Sequence, residues 1–404
     1  MSTQTSIQDL FNRTSFNESS TVKVPGKLFI TGEYAILFPT QPAIIIAVDQ
    51  FLTAQVTASD LPEGGVIRTN LSELGPLNYV RQDGNFQVSA NTASGWHYCI
   101  NAIRVTESLL KSLKVPLLNY NIQFNSELIN KDGLKFGLGS SGAIVVATIK
   151  GILAYHGVQA LDHVTIFKLA AIALTLSKSN GSLADIATIT TGGWVYYQSF
   201  DRQWLKEMVH ANTPVASLLL KDWPDLVIES LSVPDELALL IGWTQSPAST
   251  ENLVGQLLDR LNQADDQFKA FLKNAKASVE RMRIGFQEKN LTVIQDEIQV
   301  YRQLLLELSH TYQLNIETNE LTQFIETALP HSYIAKSSGA GGGDCGIAIG
   351  HKDIETETLI KDWELDDIVS LPLQVTPPSL RKQHSIGGNY DKKKSTFTCS
   401  TTKR

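Results

Sequence analysis

The sequence is poor in cysteine and has no long apolar run. Its three cysteines, Cys99, Cys345 and Cys399, are widely spaced and odd in number, which argues against a disulfide framework or a structural zinc site and favours a reducing compartment. Apolar runs such as 43–48 and 169–176 are too short to cross a bilayer. The polar N-terminus also lacks the basic-then-apolar pattern of a signal peptide. We therefore expect a cytoplasmic protein with no membrane partner.

Positive charge is scarce outside the C-terminal segment. The chain has a formal net charge of -7, but residues 376–404 contain seven Lys or Arg and a single Asp. The remaining body is acidic, and acidic surfaces repel nucleic acid, so we expect no nucleic-acid partner. The basic segment is rich in Ser, Thr, Gly and Pro and predicts a disordered tail. Its lysine run at 392–394 fits either an electrostatic docking arm or a solvated chain end.

Length and composition bound the fold class. A chain of 404 residues predicts about two domains, and 43% hydrophobic with 19% charged residues is ordinary for a globular protein with a full core. The predicted strands and helices intermix without a regular β-α-β order, which favours an α+β class over a doubly wound sheet. We expect residues 211–230 to connect the two domains.

Hydrophobic periodicity and turn residues predict the individual elements. Stretches rich in β-branched and aromatic residues predict strands at 44–48, 51–57, 121–124, 193–199, 237–243 and 347–349. Helical spacing of apolar residues predicts helices at 95–113, 143–155, 165–176, 250–273, 275–308 and 355–364. Four aromatic residues are expected to pack in the core, namely Trp194, Tyr196, Tyr197 and Trp243.

A glycine- and serine-rich stretch leads directly from a predicted strand into a predicted helix. It reads Gly137, Leu138, Gly139, Ser140, Ser141, Gly142, Ala143. Such a turn lets the backbone approach a ligand, and the N–H groups and dipole of the first helical turn favour anions. A phosphate chain suits this cradle, although a glycine-rich turn with a serine cap has the same composition. The stretch lacks the Gly-Lys-Ser/Thr ending of a Walker A motif and the companion motifs of protein kinases.

Two further motifs flank this loop in the sequence. Residues 25–33 read Pro-Gly-Lys-Leu-Phe-Ile-Thr-Gly-Glu and place Lys27 after a Pro-Gly pair. Residues 337–346 read Ser-Ser-Gly-Ala-Gly-Gly-Gly-Asp-Cys-Gly, a run that permits very close backbone approach. Taken alone, Lys27 could be a solvated turn residue and the glycine run a tight backbone crossing.

The three motifs, in this order, resemble the GHMP kinase superfamily of small-molecule kinases. Stretches at 180–187, 192–194, 199–202 and 242–250 are similar to the bacterial phosphomevalonate kinases within it. The resemblance extends over about residues 22–373. The Leu-Ala pair before Asp185 departs slightly from the family pattern but leaves the aspartate in place.

The resemblance implies a two-domain fold. We expect a polar leader at 1–20, a nucleotide-binding domain of mixed sheet and helices at 21–230, and a C-terminal ferredoxin-like α/β sandwich at 231–375. The tail at 376–404 has no counterpart in the family. We expect a monomer or a homodimer.

The resemblance also implies a reaction. Such enzymes transfer the γ-phosphoryl group of ATP, with Mg²⁺, to the 5-phosphate of mevalonate in the route to isoprenoids. The acceptor phosphate has a second pKa of about 6, so at neutral pH it is largely ionised and needs little general-base help. Repulsion between two anions is the larger problem, and cations must lie between them. Mevalonate kinase is the alternative within the superfamily, and a non-catalytic ligand sensor is an alternative of another class.

The family motifs assign candidate residues to this chemistry. The catalytic candidates are Lys27, as a point charge beside the transferred group, and Asp185, as an orienting group or base. The ATP-binding candidates are Gly137 to Ala143, with Ser140 and Ser141 also candidates for the metal. Arg202 could hold a phosphate bidentately or form a surface ion pair with Asp201. The complete set of substrate-binding candidates is Ser199, Arg202, Ser249, Ser338, Gly339, Ala340 and Gly341.

Overall fold

An eight-stranded sheet in the N-terminal half of the chain and a four-stranded sheet in the C-terminal half organise the protein. The computed structural model describes residues 6–70, 74–89, 95–130, 134–261 and 265–379. No helix within these ranges is long and apolar enough to cross a membrane. The expected α+β class is confirmed, because the sheets are mixed or antiparallel and helices pack on them without a regular alternation.

The described part of the N-terminal half contains ten strands and six helices. The strands are β1 (Phe11–Arg13), β2 (Ser19–Thr31), β3 (Pro42–Ala58), β4 (Gly64–Thr69), β5 (Leu77–Gln82), β6 (Asn85–Val88), β7 (Tyr120–Ser126), β8 (Val158–Ala160), β9 (Trp194–Gln198) and β10 (Val227–Ser230). The helices are α1 (His97–Ser112), α2 (Ser140–Tyr155), α3 (His163–Leu176), α4 (Ala184–Thr191), α5 (Arg202–His210) and α6 (Val215–Leu220). Short 3₁₀ helices lie at Ile7–Leu10 and Ala35–Leu37.

An eight-stranded sheet forms the N-terminal layer. Its order is β10-β9-β3-β7-β4-β5-β6, with β2 paired to β3. The pairs are antiparallel except for β4 with β7. Helix α2 packs on β2 and β3 and is apolar on nearly all sides, as expected for a helix covered on both faces.

The C-terminal half contains a four-stranded antiparallel sheet. Its strands are β11 (Leu237–Trp243), β12 (Ile334–Ser337), β13 (Cys345–His351) and β14 (Val369–Leu371), in the order β12-β13-β11-β14. The helices are α7 (Thr250–Arg260), α8 (Asp266–Gln287), α9 (Leu291–Thr311), α10 (Asn319–Ala328) and α11 (Glu357–Leu365), and a 3₁₀ helix lies at Leu329–His331. Helices separate β11 from β12 and β13 from β14, which is the β-α-β-β-α-β order of a ferredoxin-like sandwich and confirms that expectation.

Several predicted boundaries were wrong where the chain continues through a polar residue. The predicted strands at 44–48 and 51–57 form the single strand β3, because Asp49 does not turn the chain but pairs with the C-terminal segment. Its N–H donates to the Gln374 carbonyl at 2.9 Å, and its carboxylate accepts the Gln374 N–H at 2.8 Å. Strand β2 likewise passes through Pro25 and Gly26 by a shift of register against β3.

The predicted helices at 250–273 and 275–308 are three helices. Helix α7 ends at Arg260, and Asp265 accepts the Phe268 N–H at 2.9 Å to cap the start of α8. Helix α8 ends before Asn290, which caps α9 through the Val293 N–H at 3.2 Å. Side-chain capping by Asp and Asn therefore decided helix boundaries that the apolar stripe alone did not show.

The predicted connection at 211–230 belongs to the N-terminal layer instead. It contains α6 and the edge strand β10, which pairs with β9 over four residues from Val227 to Ser230. The structure also places β1, from the predicted leader, against β8. The four aromatic side chains expected in the core, Trp194, Tyr196, Tyr197 and Trp243, are all buried, as predicted.

The C-terminal segment returns to the N-terminal layer. The Thr376 N–H donates to the Ala47 carbonyl at 2.9 Å and the Ser379 N–H to the Thr191 carbonyl at 2.7 Å. The first four residues of the predicted tail are therefore fixed to the sheet and to the end of α4. The rest of that tail, residues 380–404, lies outside the described residues, and the domain boundaries stay a prediction.

Candidate active site

Strand β2 brings Lys27 to the glycine- and serine-rich loop. The backbone N–H of Lys27 donates to the Leu138 carbonyl at 3.0 Å. Its ammonium Nζ donates to the Gly137 carbonyl, also at 3.0 Å. Because both bonds join residues more than a hundred positions apart, the lysine is held against the loop by tertiary structure and is not a solvated turn residue.

The loop ends in an uncapped helix start. Gly139 precedes α2 with φ at +84°, in the left-handed region that favours glycine, and no side chain caps the helix. The N–H groups of the first turn are therefore available to an anion, and the helix dipole adds to the attraction. Ser140 is partly buried and Ser141 is exposed at this end of the helix.

Glycine is required in this loop because functional side chains pack on it. A Cβ atom at Gly139 would lie 3.0 Å from Cε of Lys27. A Cβ atom at Gly142 would lie 2.5 Å from Oδ2 of Asp185. The structure therefore brings Lys27, Asp185 and the start of α2 together, as their motifs predicted. Their catalytic roles stay predictions.

Helix α4 presents Asp185 in its first turn. The helix starts after Leu183, which has φ at +66°, and the Ala184 N–H donates to the Ser182 hydroxyl at 3.3 Å. Burial raises the pKa of the Asp185 carboxyl, while the nearby Lys27 charge and the N–H groups of Asp185 and Ile186 oppose the rise. A carboxylate held in this way can orient a cation or accept a proton.

The Lys27 ammonium group is buried close to several negatively charged groups. Burial lowers the pKa of its ammonium group, and the carboxylates of Asp185, Asp344 and Glu33 oppose that shift together with Cys345. Among the described residues Lys27 forms no direct ion pair, so its positive charge stays available to a ligand while its position is fixed through the Gly137 carbonyl.

Asp344 is a site residue that sequence reasoning missed. Its backbone has φ at +55°, and its Oδ1 accepts the Ala248 N–H at 3.2 Å. A Cβ atom at Gly137 would lie 2.6 Å from its Oδ2, so the carboxylate packs directly on the loop. Burial raises the pKa of this carboxyl, and Lys27 and Lys135 oppose the rise. A charged residue inside a run of glycines was the signal that could have found it.

The third glycine-rich motif packs against the N-terminal motif. The Ser338 hydroxyl donates to the Phe29 carbonyl at 2.9 Å, and the Tyr34 hydroxyl donates to the Ala340 carbonyl at 2.6 Å. A Cβ atom at Gly339 would meet nothing within 4 Å, so this backbone faces open space. Gly341 packs instead against the backbone of Ile316.

Arg202 does not present a free guanidinium. Its Nη1 donates to the carbonyls of Asn180 at 3.2 Å and Gly181 at 2.7 Å, and its Nη2 donates to the Leu37 carbonyl. Burial lowers its pKa. The alternative, a surface ion pair with Asp201, is absent among the described contacts, because Asp201 caps α5 through the Gln203 N–H at 3.0 Å. Arg202 holds the chain that leads to Asp185.

Two predicted substrate-binding serines have other contacts. Ser199 is 0% exposed and its hydroxyl lies 3.4 Å from the Phe200 carbonyl, so its contact with substrate stays a prediction. Ser249 is exposed and caps α7 by accepting the Asn252 N–H at 3.3 Å. Its capping role is observed, and its contact with substrate stays a prediction.

Comparisons with known proteins agree with this geometry. Residues 97–193 match the GHMP kinases N terminal domain. A phosphomevalonate kinase of Streptomyces sp. (strain CL190) is 34% identical over 360 residues, which cover 86% of this chain and 95% of that protein. The chain belongs to the phosphomevalonate kinases of the GHMP kinase family.

Two further relatives bear on the assignment. The crystal structure of Streptococcus pneumoniae phosphomevalonate kinase in complex with phosphomevalonate and AMPPNP is 30% identical and superposes with a TM-score of 0.77, covering 88% of this chain and 99% of that chain. A mevalonate kinase of Methanocaldococcus jannaschii is 22% identical over 347 residues, which cover 86% of this chain and 96% of that protein. The resemblance inferred from the motifs, and the fold it implied, are confirmed.

Proposed function

We propose that this chain transfers the γ-phosphoryl group of ATP to the phosphate of phosphomevalonate, giving 5-diphosphomevalonate in the mevalonate pathway to isoprenoids. The observation that carries this assignment is the convergence of Lys27 and Asp185 on the uncapped start of α2. The 34% identity to a phosphomevalonate kinase over most of the chain supports the acceptor.

The arrangement suits transfer between two anions. Phosphoryl transfer requires positioning and neutralisation of charge more than covalent chemistry. The first-turn N–H groups of α2 hold the phosphates of the nucleotide, and the Lys27 ammonium lies beside them to reduce repulsion from the acceptor. Asp185 orients Lys27, or accepts the proton of the minor monoprotonated acceptor, whose second pKa is about 6.

The residues at this helix start fit a magnesium ion. Mg²⁺ prefers oxygen ligands and is held by few protein groups together with phosphates and water. Ser140 and Ser141 place hydroxyls at the start of α2, and Asp185 places a carboxylate beside Gly142. We assign the ion to these serines. When bound, it neutralises phosphate charge.

The acceptor lies between the phosphate loop and the third glycine-rich motif in this proposal. The open space at Gly339 leaves room for its backbone to contact the substrate, and Ser338 and Ala340 fix that backbone to β2. Ser249 and the start of α7, in the C-terminal half of the chain, also contact the acceptor in this proposal. Arg202 acts by holding the 180–182 segment before Asp185.

A coupled assay of ADP release tests the proposal. With purified protein, ATP and Mg²⁺, we expect turnover with phosphomevalonate and little with mevalonate. Faster turnover of unphosphorylated mevalonate would reject the acceptor and favour mevalonate kinase. ATP binding without turnover of either acceptor would favour a non-catalytic sensor. Size-exclusion chromatography of the same protein distinguishes a monomer from a homodimer.

A further inference from the structure

A buried ion pair joins the two halves of the molecule beside the site. Lys336 on β12 is 0% exposed and Glu33, two residues after β2, is 2% exposed. The Lys336 ammonium lies 2.5 Å from Oε1 of Glu33 and also donates to the Ser337 carbonyl at 2.6 Å. Glu33 follows a strand of the N-terminal sheet and Lys336 lies on a strand of the C-terminal sheet, so the pair is a tertiary contact between the two layers.

A third element completes the cluster. Tyr301 on α9 donates its hydroxyl to the Glu33 backbone carbonyl at 2.8 Å, and the Lys336 ammonium lies 5.9 Å from the centre of its ring. The second carboxylate oxygen of Glu33, Oε2, is buried and has no hydrogen-bond partner among the described residues. A buried pair with an unsatisfied oxygen is a poor source of stability. A need to hold the two elements at a fixed position relative to each other explains the presence of the pair better.

The elements joined by this pair carry the predicted catalytic and substrate-binding groups. Lys27 lies on β2, six positions before Glu33, and Lys336 directly precedes the third glycine-rich motif. The same junction contains the bonds from Ser338 to Phe29 and from Tyr34 to Ala340. The acceptor residues of these two bonds, Phe29 and Ala340, are partly exposed, whereas both side chains of the ion pair are buried.

We propose that Glu33 and Lys336 are positioning residues, which together set the distance between Lys27 and the backbone of the acceptor-binding motif at 338–341. The inference rests on the proposed function. Neither residue needs to touch substrate. The pair fixes two strands so that the acceptor phosphate meets the Lys27 ammonium and the nucleotide in the reactive arrangement. A misplacement of about 1 Å can reduce transfer about a hundredfold.

Three variants separate positioning from stability. Lys336→Met and Glu33→Gln each leave one buried group without its partner, so each single variant is expected to have a lower melting temperature than wild type. The double variant E33Q/K336M removes both charges and is expected to recover thermal stability, because replacing a whole buried pair is often neutral. Its kcat/KM for phosphomevalonate is nevertheless expected to stay at least about tenfold below wild type.

Nucleotide affinity provides a readout that a general structural defect would change. The phosphate loop lies within the N-terminal layer, so the double variant is expected to bind a fluorescent ATP analogue within about twofold of wild type. The matched control is R81M/E107Q, which removes another buried pair, joined at 2.6 Å within the N-terminal layer. Because that pair does not link the layers, we expect unchanged kcat/KM among its folded molecules.

The outcomes distinguish this inference from the proposed function. A double variant with wild-type melting temperature and wild-type kcat/KM overturns the positioning role. Loss of nucleotide affinity in parallel with activity also overturns it. If the wild-type protein phosphorylates mevalonate instead, the acceptor assignment fails and the same comparison is made with mevalonate. A wild-type protein that is inactive on both acceptors overturns both proposals.

Discussion

The starts of α2 and α4, which meet where Asp185 packs on Gly142, differ from the starts of α8 and α9. Helices α2 and α4 begin after Gly139 and Leu183, both in the left-handed conformation and neither providing a side-chain cap. Helices α8 and α9 begin after Asp265 and Asn290, whose side chains accept N–H groups of the first turn. At α8 and α9 a side chain therefore accepts first-turn N–H groups, whereas at α2 no side chain accepts them and they are available to a ligand.

Aspartate has different roles at the starts of α8 and α4. At α8 the aspartate contributes to stability by capping, whereas at α4 Asp185 lies inside the first turn and faces Lys27 and Gly142. Substitutions at the two kinds of helix start should therefore change different quantities. Those at the site should lower turnover more than stability, and those elsewhere should lower stability alone.

Asp185→Asn is expected to have the largest effect. The amide keeps the size of the side chain but removes the charge that faces Lys27, so kcat should fall by about 10²–10⁴-fold. ATP affinity should stay near wild type, because the phosphate loop is intact. Single-turnover kinetics and nucleotide titration measure the two quantities. Unchanged kcat would remove Asp185 from the mechanism.

Gly139→Ala tests whether the left-handed residue before α2 serves the site. Its φ of +84° strains an alanine, and the new Cβ would lie 3.0 Å from Lys27. We expect a loss of about 1–2 kcal/mol in unfolding free energy and at least about tenfold lower kcat/KM from displacement of Lys27.

Gly84→Ala is the matched control for that substitution. Gly84 has a similar φ of +71°, but its Cβ would meet nothing within 4 Å. The backbone strain is then comparable and the contact with Lys27 is missing. Equal losses of activity in the two variants would contradict a specific role for Gly139.

The pH dependence of kcat/KM should reflect the burial of the two charges. Burial raises the pKa of Asp185, so its carboxylate is lost on acidification at a higher pH than for an ordinary aspartate. Burial lowers the pKa of Lys27, so its charge is lost on alkalinisation below the usual value of 10.5. We therefore expect a bell-shaped dependence of kcat/KM on pH. Its acidic limb should lie at a higher pH, and its alkaline limb at a lower pH, than an ordinary aspartate and lysine would give.

Lys27→Arg sharpens the test of the alkaline limb. A guanidinium stays charged above pH 12, so the variant's alkaline limb should move to higher pH even if its rate is lower. An alkaline limb at the same pH in both proteins would assign that limb to another group.

Asp265→Ala should have the smallest effect on function. Loss of the cap on α8 costs about 1 kcal/mol of unfolding free energy, which thermal denaturation measures. We expect kcat and KM to stay at wild-type values, because α8 starts away from the site. A change in kcat comparable to that of Gly139→Ala would contradict the claim that the start of α8 affects stability alone.

Local patterns predicted much of the fold and the central part of the site. The strand at 237–243 was predicted with the bounds of β11, and the stretch at 137–143 was correctly predicted to lead into a helix, although α2 begins at Ser140 and not at 143. The merged strand β3 and the breaks between α7, α8 and α9 were missed. These depend on Asp49 pairing with a segment over 300 residues away and on caps at Asp265 and Asn290.

The sequence by itself determined which residues are candidates to bind phosphate, because glycine tolerance, helix starts and charge are local properties. Only the tertiary structure decided what each charged side chain faces. Arg202 binds backbone carbonyls, Asp344 packs on Gly137, and Lys336 pairs with Glu33 across two sheets. Burial and long-range packing set these partners, and neither can be read from a residue's neighbours in the chain.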